Sequence, residues 1–409
     1  METILMRLAL LIDDYLPRST RVGAKMFHEL AVYLQQQGHQ VTVITPEFNQ
    51  TSTLVCDELD GVTVWRFKSG EIKGVGVVKR AVNESLLSLR AWLAVTANVD
   101  KDSFDGVVYY SPSIFFGGLV RWLCQRCQCP AYLVLRDLFP RWAIDAGMIG
   151  EQSLITRYFR FFEHFSYRQA KMIGLMSDNN IMVFKEEGNH YPTEVLRNWA
   201  ALTPVIQLPS DYVPLRQRLK LQDKVIFFYG GNIGYAQDMA NLIRLTKAMS
   251  QYPKAHFLYV GQGDEVALIN QLATKWQLNN FTYLPSVDQA EFKLLLAEVD
   301  VGLFSLSAEH TSHNFPGKLL GYMVQQIPIL GSVNEGNDLM ELVNNHGAGI
   351  IRVNGDDAAL FSAAEKLLID ASYRKQLGQQ ANALLQREFS VAAAADVILK
   401  SLTSNSPAY

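Results

Sequence analysis

The chain has 409 residues, 49% of them hydrophobic and 19% charged, with a formal net charge of −3 at pH 7. That length exceeds what one hydrophobic core usually supports, so two domains are expected. The balanced charge, with no dominant basic domain or stripe, argues against a nucleic-acid partner.

The opening METILMRLALLID carries an acid at Glu2 and no small-residue cleavage site, so it reads as a first strand and not a signal peptide. No apolar run approaches the ~18 residues of a membrane span. A cytoplasmic location is the expectation. RLALLID (7–13) is a continuous apolar run suited to a strand buried on both faces. A polar loop, DYLPRSTRVG, leads into KMFHELAVYLQQQ (25–37), which places Phe27, Leu30, Ala31 and Leu34 at helical spacing before Gly38. HQVTVITP (39–46), GVTVWRF (61–67), DGVVYYS (105–111), AYLVLRD (131–137), KMIGLMS (171–177) and 193–196 read as further strands.

Cys124-x-x-Cys127-x-Cys129 invites a zinc reading, but no second Cys/His pair follows at finger-like spacing. The segment reads as a helix running into a strand, with ordinary reduced thiols. The stretch 198–224 is polar, rich in proline and without period, which suits a linker.

A second alternating series follows. VIFFYGG (225–231), HFLYVGQG (256–263), TYLPSV (282–287), VGLFSL (301–306), IPILGSV (327–333) and AGIIRV (348–353) read as strands, with helices between them. The fold class is therefore α/β, with two doubly wound, Rossmann-like domains facing an inter-domain cleft.

Three segments in the second series carry chemistry. Gly230-Gly231-Asn232-Ile233-Gly234 follows a strand and reads as opening a helix, where backbone approaches a ligand closely and N–H groups face an anion. The same glycines also suit a plain turn. Gly261-Gln262-Gly263-Asp264 ends another strand, and neither glycine pair completes the G-x-G-x-x-G spacing of a dinucleotide fold. Asn314-Phe315-Pro316-Gly317-Lys318-Leu319-Leu320-Gly321-Tyr322-Met323 places proline at a helix start and Lys318 in its first turn. The helix dipole disfavours a cation there unless an anion shares the site, as a diphosphate would. A surface lysine is the bland reading.

With these segments in register over nearly the whole length, the chain resembles the family 4 glycosyltransferases of the GT-B fold. Within them it resembles the WbuB-type O-antigen transferases, which are associated with N-acetyl-L-fucosamine transfer. GAKMFHELAVYLQQQGHQVTVITP, DGVVYYSPSIFFGGLV, LVLRDLFPRWAIDAGMIG, GGNIGYAQDM, YVGQGDE, FPGKLLGYM and IPILGSVNEGNDL carry the likeness. The resemblance implies an acceptor-binding domain over 1–205, a nucleotide-sugar-binding domain over 206–385, and a C-terminal helix over 386–409 crossing back to the first domain.

It further implies retaining hexosyl transfer from a UDP-sugar to a lipid-linked glycan, with no cofactor and no metal. The leaving diphosphate would be stabilised by Lys318 and by backbone of Gly231, Asn232, Ile233 and Gly234. Gly261, Gly263, Ser286 and Val287 would line the nucleotide, and His313, Asn314, Pro316, Gly317 and Leu319 the donor. Gly23, Arg21 and Arg136 fall on the acceptor side. Asp137, at a strand end, is placed to accept a proton from the acceptor hydroxyl or to orient it, or else to cap the following helix. The likeness departs where many relatives carry two glutamates eight residues apart, since Gly321 and His313 stand there.

SLITRYFRFFEHFSYRQAK (153–171) and VKRAVNESLLSLRAWLAV (78–95) interleave cations with aromatics, which suits either packed helices or the inner-leaflet membrane surface. A UDP-sugar 2-epimerase, and a non-catalytic nucleotide-sugar-binding subunit, are the competing functions.

Overall fold

The computed structural model describes residues 5–19, 21–72, 75–111, 113–145, 147–309 and 315–404. The chain divides into two compact units, Met1–Asn198 with Val391–Tyr409, and Trp199–Ser390. Each is an α/β domain built on a mostly parallel sheet, as the alternating pattern of strands and helices requires.

The first unit holds β1 (Arg7–Leu11), β2 (Gln40–Glu47), β3 (Leu54–Leu59), β4 (Val62–Lys68), β5 (Gly106–Ser111), β6 (Ala131–Leu135), β7 (Met172–Leu175) and β8 (Thr193–Val195). Their spatial order is β3-β4-β2-β1-β5-β6-β7-β8, parallel except for the β3–β4 hairpin. From β1 the chain first builds outward through β2 and β4, then returns to lay β5 on the other side of β1. That reversal is a switch point, and the loops after β1 and β5 frame it. The helix Val391–Thr403 belongs to this unit. Ser401 donates to Glu194 at 2.6 Å, and Leu402 packs so closely on Gly106 that a Cβ there would stand 3.0 Å away.

β3 escapes a reading based on hydrophobic alternation because LVCDEL is a solvated edge, exposed at four central positions. It is held by the Asp60-Gly61 turn, whose φ values of 52° and 81° are those of a type I′ hairpin. The stretch 78–95 forms two helices, Val77–Ser85 and Leu87–Val95, which meet at Leu86. Cys124 and Cys127 lie on the helix Gly117–Cys127, which runs through Cys129 into β6, and all three thiols are free.

The second unit holds β9 (Val225–Asn232), β10 (Ala255–Gln262), β11 (Phe281–Leu284), β12 (Val301–Ser305), β13 (Ile329–Val333) and β14 (Gly349–Val353). All are parallel, in the order β11-β10-β9-β12-β13-β14. The chain builds β9, β10 and β11 in one direction, then crosses back to place β12 on the other flank of β9. The switch point is thus between β9 and β12. One correction concerns Gly230–Gly234, which do not open a helix. Gly230 to Asn232 extend β9, because β10 continues beside them in the register Gly261↔Gly231 and Gln262↔Asn232. The next helix starts only at Met239, after a 3-10 turn over Tyr235–Gln237 and a left-handed Asp238.

Candidate functional site

At the switch point of the second unit, β9 and β12 pair through Val301↔Phe227 and Gly302↔Phe228. Tyr322, from the helix Lys318–Val324, bridges the two strands just beyond. Its hydroxyl accepts from Gly230 N at 3.4 Å and lies 3.1 Å from the Leu303 carbonyl and 3.3 Å from the Phe228 carbonyl, with one proton to donate. Gly302 makes room for the ring, since a Cβ there would sit 2.4 Å from it.

The first residue of the same helix is Lys318. Its Nζ stands 3.6 Å from the centroid of the Tyr229 ring, is excluded from solvent and has no hydrogen-bond partner among the described residues. A Cβ on Gly231 would lie 3.8 Å from both Cε and Nζ, so the amine sits against the glycine end of β9. Burial without a counter-charge pushes its pKa down to about 7. The ring face offers partial compensation for a cation. An anion bound beside Gly231 would supply the rest.

The glycines of β10 allow the two strand ends to come together. A Cβ on Gly261 would stand 1.8 Å from the Gly231 carbonyl oxygen, and one on Gly263 would stand 2.2 Å from that of Ile233. Gly231 itself has φ +118°, which a side chain disfavours. Not every expected donor is available to a ligand. Ile233 N donates to Gln262 O at 2.9 Å, Tyr235 N donates to Asp264 Oδ1 at 3.3 Å, and the Ile233 side chain is core. The Asn232 amide donates to Gln237 at 2.8 Å, and a Cβ on Gly234 would meet Asn232 Nδ2 and Asp264 Oδ1 within 3 Å.

Ser286 is exposed and donates to Gln262 Oε1 at 3.2 Å, so it lies at the end of β10, while Val287 packs on the core. Leu319 is buried, so only its backbone can face a ligand. Pro316 and Gly317 form the turn that launches the helix, their carbonyls accepting from Leu319 N and Leu320 N. His313 and Asn314 lie outside the described residues.

In the first unit the residues singled out from sequence gather around Tyr110, at the end of β5. A Cβ on Gly23 would stand 2.8 Å from the Tyr110 hydroxyl. Burial raises the Tyr110 pKa, and Arg136, Asp137, Asp13 and Arg21 all act on it electrostatically. Arg21 is exposed, 3.8 Å from Asp14. Arg136 is buried and donates to the carbonyls of Leu135, Gly174 and Arg197, so much of its guanidinium ties strands together. Burial draws its pKa down to about 10. Asp137 follows β6 and is open to solvent, yet the crowding of surrounding chain raises its carboxyl pKa against the pull of Arg136.

The sequence did not single out a hydrogen-bonded relay that pins the loop after β1. Asp60 accepts from His28 Nε2 at 2.9 Å, leaving His28 Nδ1 to accept from the Tyr15 hydroxyl at 2.9 Å. Arg66 adds a bond to the Leu16 carbonyl at 2.7 Å. Tyr229 and Tyr322 were also missed as site residues, since an aromatic in a strand or helix looks like core from sequence.

Comparison with known proteins bears on the family and the fold. The family model "Glycosyl transferase 4-like domain" matches residues 23–177, and "Glycosyl transferases group 1" matches 214–384. The chain is 25% identical over 260 residues to the probable glycosyltransferase WbjE of Pseudomonas aeruginosa, covering 63% of this chain and 64% of that protein. It is 25% identical over 288 residues to the putative colanic acid biosynthesis glycosyl transferase WcaI of Escherichia coli (strain K12), covering 66% and 70%. Among solved structures, Anabaena HepE in complex with UDP and glucose superposes with a TM-score of 0.66 at 16% identity, covering 97% of this chain and 99% of that one. The two domain models in succession, the relatives and the doubly wound pair of sheets together show that the chain belongs to the glycosyltransferases of the GT-B fold.

Proposed function

We propose that the chain transfers a sugar, with net retention and without a bound metal, from a UDP-sugar to a lipid-linked glycan of the cell envelope. The observation that carries this reading is the Lys318 amine, buried and without a described partner at the glycine ends of β9 and β10. As the bond from the sugar to the diphosphate breaks, negative charge grows on the leaving oxygen. A positioned amine, charged when the diphosphate is bound in a site shielded from water, lowers the cost of that charge. Gly231, Gly261 and Gly263 let the diphosphate approach the backbone, and Ser286 and Val287 flank the nucleoside. Asp137 orients the acceptor hydroxyl and Tyr110 supports Gly23 in the first unit.

The UDP assignment is supported by HepE, whose structure holds UDP and glucose, and the envelope assignment by WcaI, whose name refers to colanic acid. N-acetyl-L-fucosamine is the donor sugar the sequence likeness favours. A lipid-linked acceptor fits the helix Leu154–Tyr167 of the first unit. There Arg157, Arg160, His164 and Arg168 line a concavity with Phe161 and Phe165, and Leu154 and Phe161 are exposed. Such a face suits peripheral binding to an anionic inner leaflet.

The test is a panel of UDP-sugars incubated with enzyme and a lipid-linked oligosaccharide extract, reading UDP release and the anomeric configuration of the product. Acceptor-dependent release of UDP with one donor, and retained configuration, is the expected result. Release of free sugar or an epimer without acceptor would replace this reading with the epimerase one.

A further inference from the structure

Lys318 presents a problem that donor binding alone does not answer. An ammonium ion loses several favourable interactions with water when it is buried, and protein interiors keep such a group charged only by pairing it. Nothing among the described residues pairs this one. Nζ is sealed from solvent and stands over the π-face of Tyr229. Among the described residues, the titratable groups placed near it offer no negative charge near neutral pH. From β9 it meets Tyr229, and Tyr259 of β10 stands behind that ring; Tyr322 lies one turn further along the lysine's own helix and touches β9 and β12. Burial raises the pKa of all three phenols, so they stay neutral. No carboxylate contributes to the shift of the Lys318 pKa, which burial alone causes, and those of the adjoining loops are engaged: Glu265 accepts from Met239 N at 3.0 Å, Asp264 accepts from Tyr235 N, and Glu309 accepts from the Tyr235 hydroxyl at 3.3 Å.

We propose that above neutral pH the Lys318 amine is neutral in the empty protein and takes up a proton from solution when a nucleoside diphosphate binds beside it, so that donor binding is proton-linked. This rests on the assignment of the diphosphate to Lys318 under the proposed function. The balance is simple: neutral amine, a solution proton and the diphosphate anion become an ammonium–diphosphate pair, with no bond to carbon made or broken. Product release reverses it, returning the proton as UDP leaves. The sign follows from the two states. In the free protein burial sets the amine near 7. The bound anion favours the charged form and lifts that value. Uptake is therefore small well below pH 7, where the free amine already holds its proton. It approaches about one proton per site near pH 8, and across the next pH unit affinity falls by up to about tenfold. A phosphate with its last pKa near ~6 is fully ionised there, so the nucleotide contributes little to the uptake.

The experiment is calorimetric titration of UDP into the whole protein at pH 6 and pH 8, each in two buffers of different ionisation enthalpy. Near pH 8 the apparent heat should differ between buffers by about one protonation, and at pH 6 by much less. The Lys318→Met protein, checked for folding by its melting curve, should show no buffer dependence at pH 8 and weakened binding. Binding with equal heats in both buffers at pH 8 overturns the proton linkage while leaving the donor site in place. Uptake that persists in Lys318→Met assigns the proton to another group and also overturns it. If that variant does not fold, the wild-type Kd between pH 7 and 9 decides: a flat profile refutes the linkage, and a steep fall in affinity supports it. No UDP binding at any pH is a different failure, of the diphosphate assignment itself.

Discussion

Lys318 Nζ sits 3.6 Å from the centre of the Tyr229 ring, and both residues come from elements that flank the β9–β12 switch point. The arrangement is unfavourable for stability and favourable for binding an anion, which gives it a double signature. Lys318→Met keeps the stem and removes the amine. The melting temperature should stay level or rise, because a buried group without a partner costs ~1–3 kcal/mol. Turnover should fall by roughly 10²–10³. A variant that is less stable and equally active would mean that the amine serves packing.

Two glycines in the same unit should respond oppositely to the same substitution. Gly261→Ala drives a methyl group to within 1.8 Å of the Gly231 carbonyl, so the ends of β9 and β10 must separate. Stability should fall by at least ~1–3 kcal/mol and UDP affinity should drop with it. Gly321→Ala meets only Leu296 Cδ1 at 3.5 Å, in the interior of the helix Lys318–Val324. That change should stabilise by about 0.5–1 kcal/mol and leave UDP binding intact. Melting curves with and without UDP read both.

Glu163 gives the first unit a pH-dependent stability. Burial raises its carboxyl pKa to about 7, although the Tyr167 hydroxyl donates to it at 2.9 Å. The folded state thus holds this proton more tightly than the unfolded chain. The stability it confers is complete below the unfolded value of ~4.5 and is lost as pH rises through the folded value near 7. Glu163→Gln should flatten the decline between pH 5 and 8 by up to ~3 kcal/mol. Parallel denaturation curves for the two proteins would refute the assignment.

The membrane-facing reading predicts a salt effect. Among the described residues, none of Arg157, Arg160 and Arg168 forms a salt bridge, and Arg157 and Arg160 stand three residues apart on the helix, where like charges repel. Replacing all three with glutamine should leave folding unchanged and weaken sedimentation with anionic vesicles by about 1 kcal/mol per residue, while binding to neutral vesicles stays low. Equal binding to both vesicle types by the wild type would remove the electrostatic basis.

How far the sequence could be read depended on the range of the interaction. Strands buried on both faces, such as β1 and β12, show as unbroken apolar runs and were visible. β3 was not, because its solvated face hides the alternation, although Asp60-Gly61 advertised a hairpin. Lys318 drew attention because a cation opens a helix. Its placement over Tyr229 depends on how β9 and β12 pair, and so does the bridging of that pair by Tyr322. Helix-opening geometry at Gly234 failed for a related reason: the length of β9 is set by its neighbour β10. The Tyr15–His28–Asp60 relay joins a loop, a helix and a turn that only the fold brings together.

The most direct test of the central claim is a diffraction structure of the protein with UDP. The account predicts the diphosphate beside Gly231, with a phosphate oxygen within hydrogen-bond distance of Lys318 Nζ and the nucleoside next to Ser286 and Val287. UDP bound at another strand end, with Lys318 still facing only Tyr229, would contradict it.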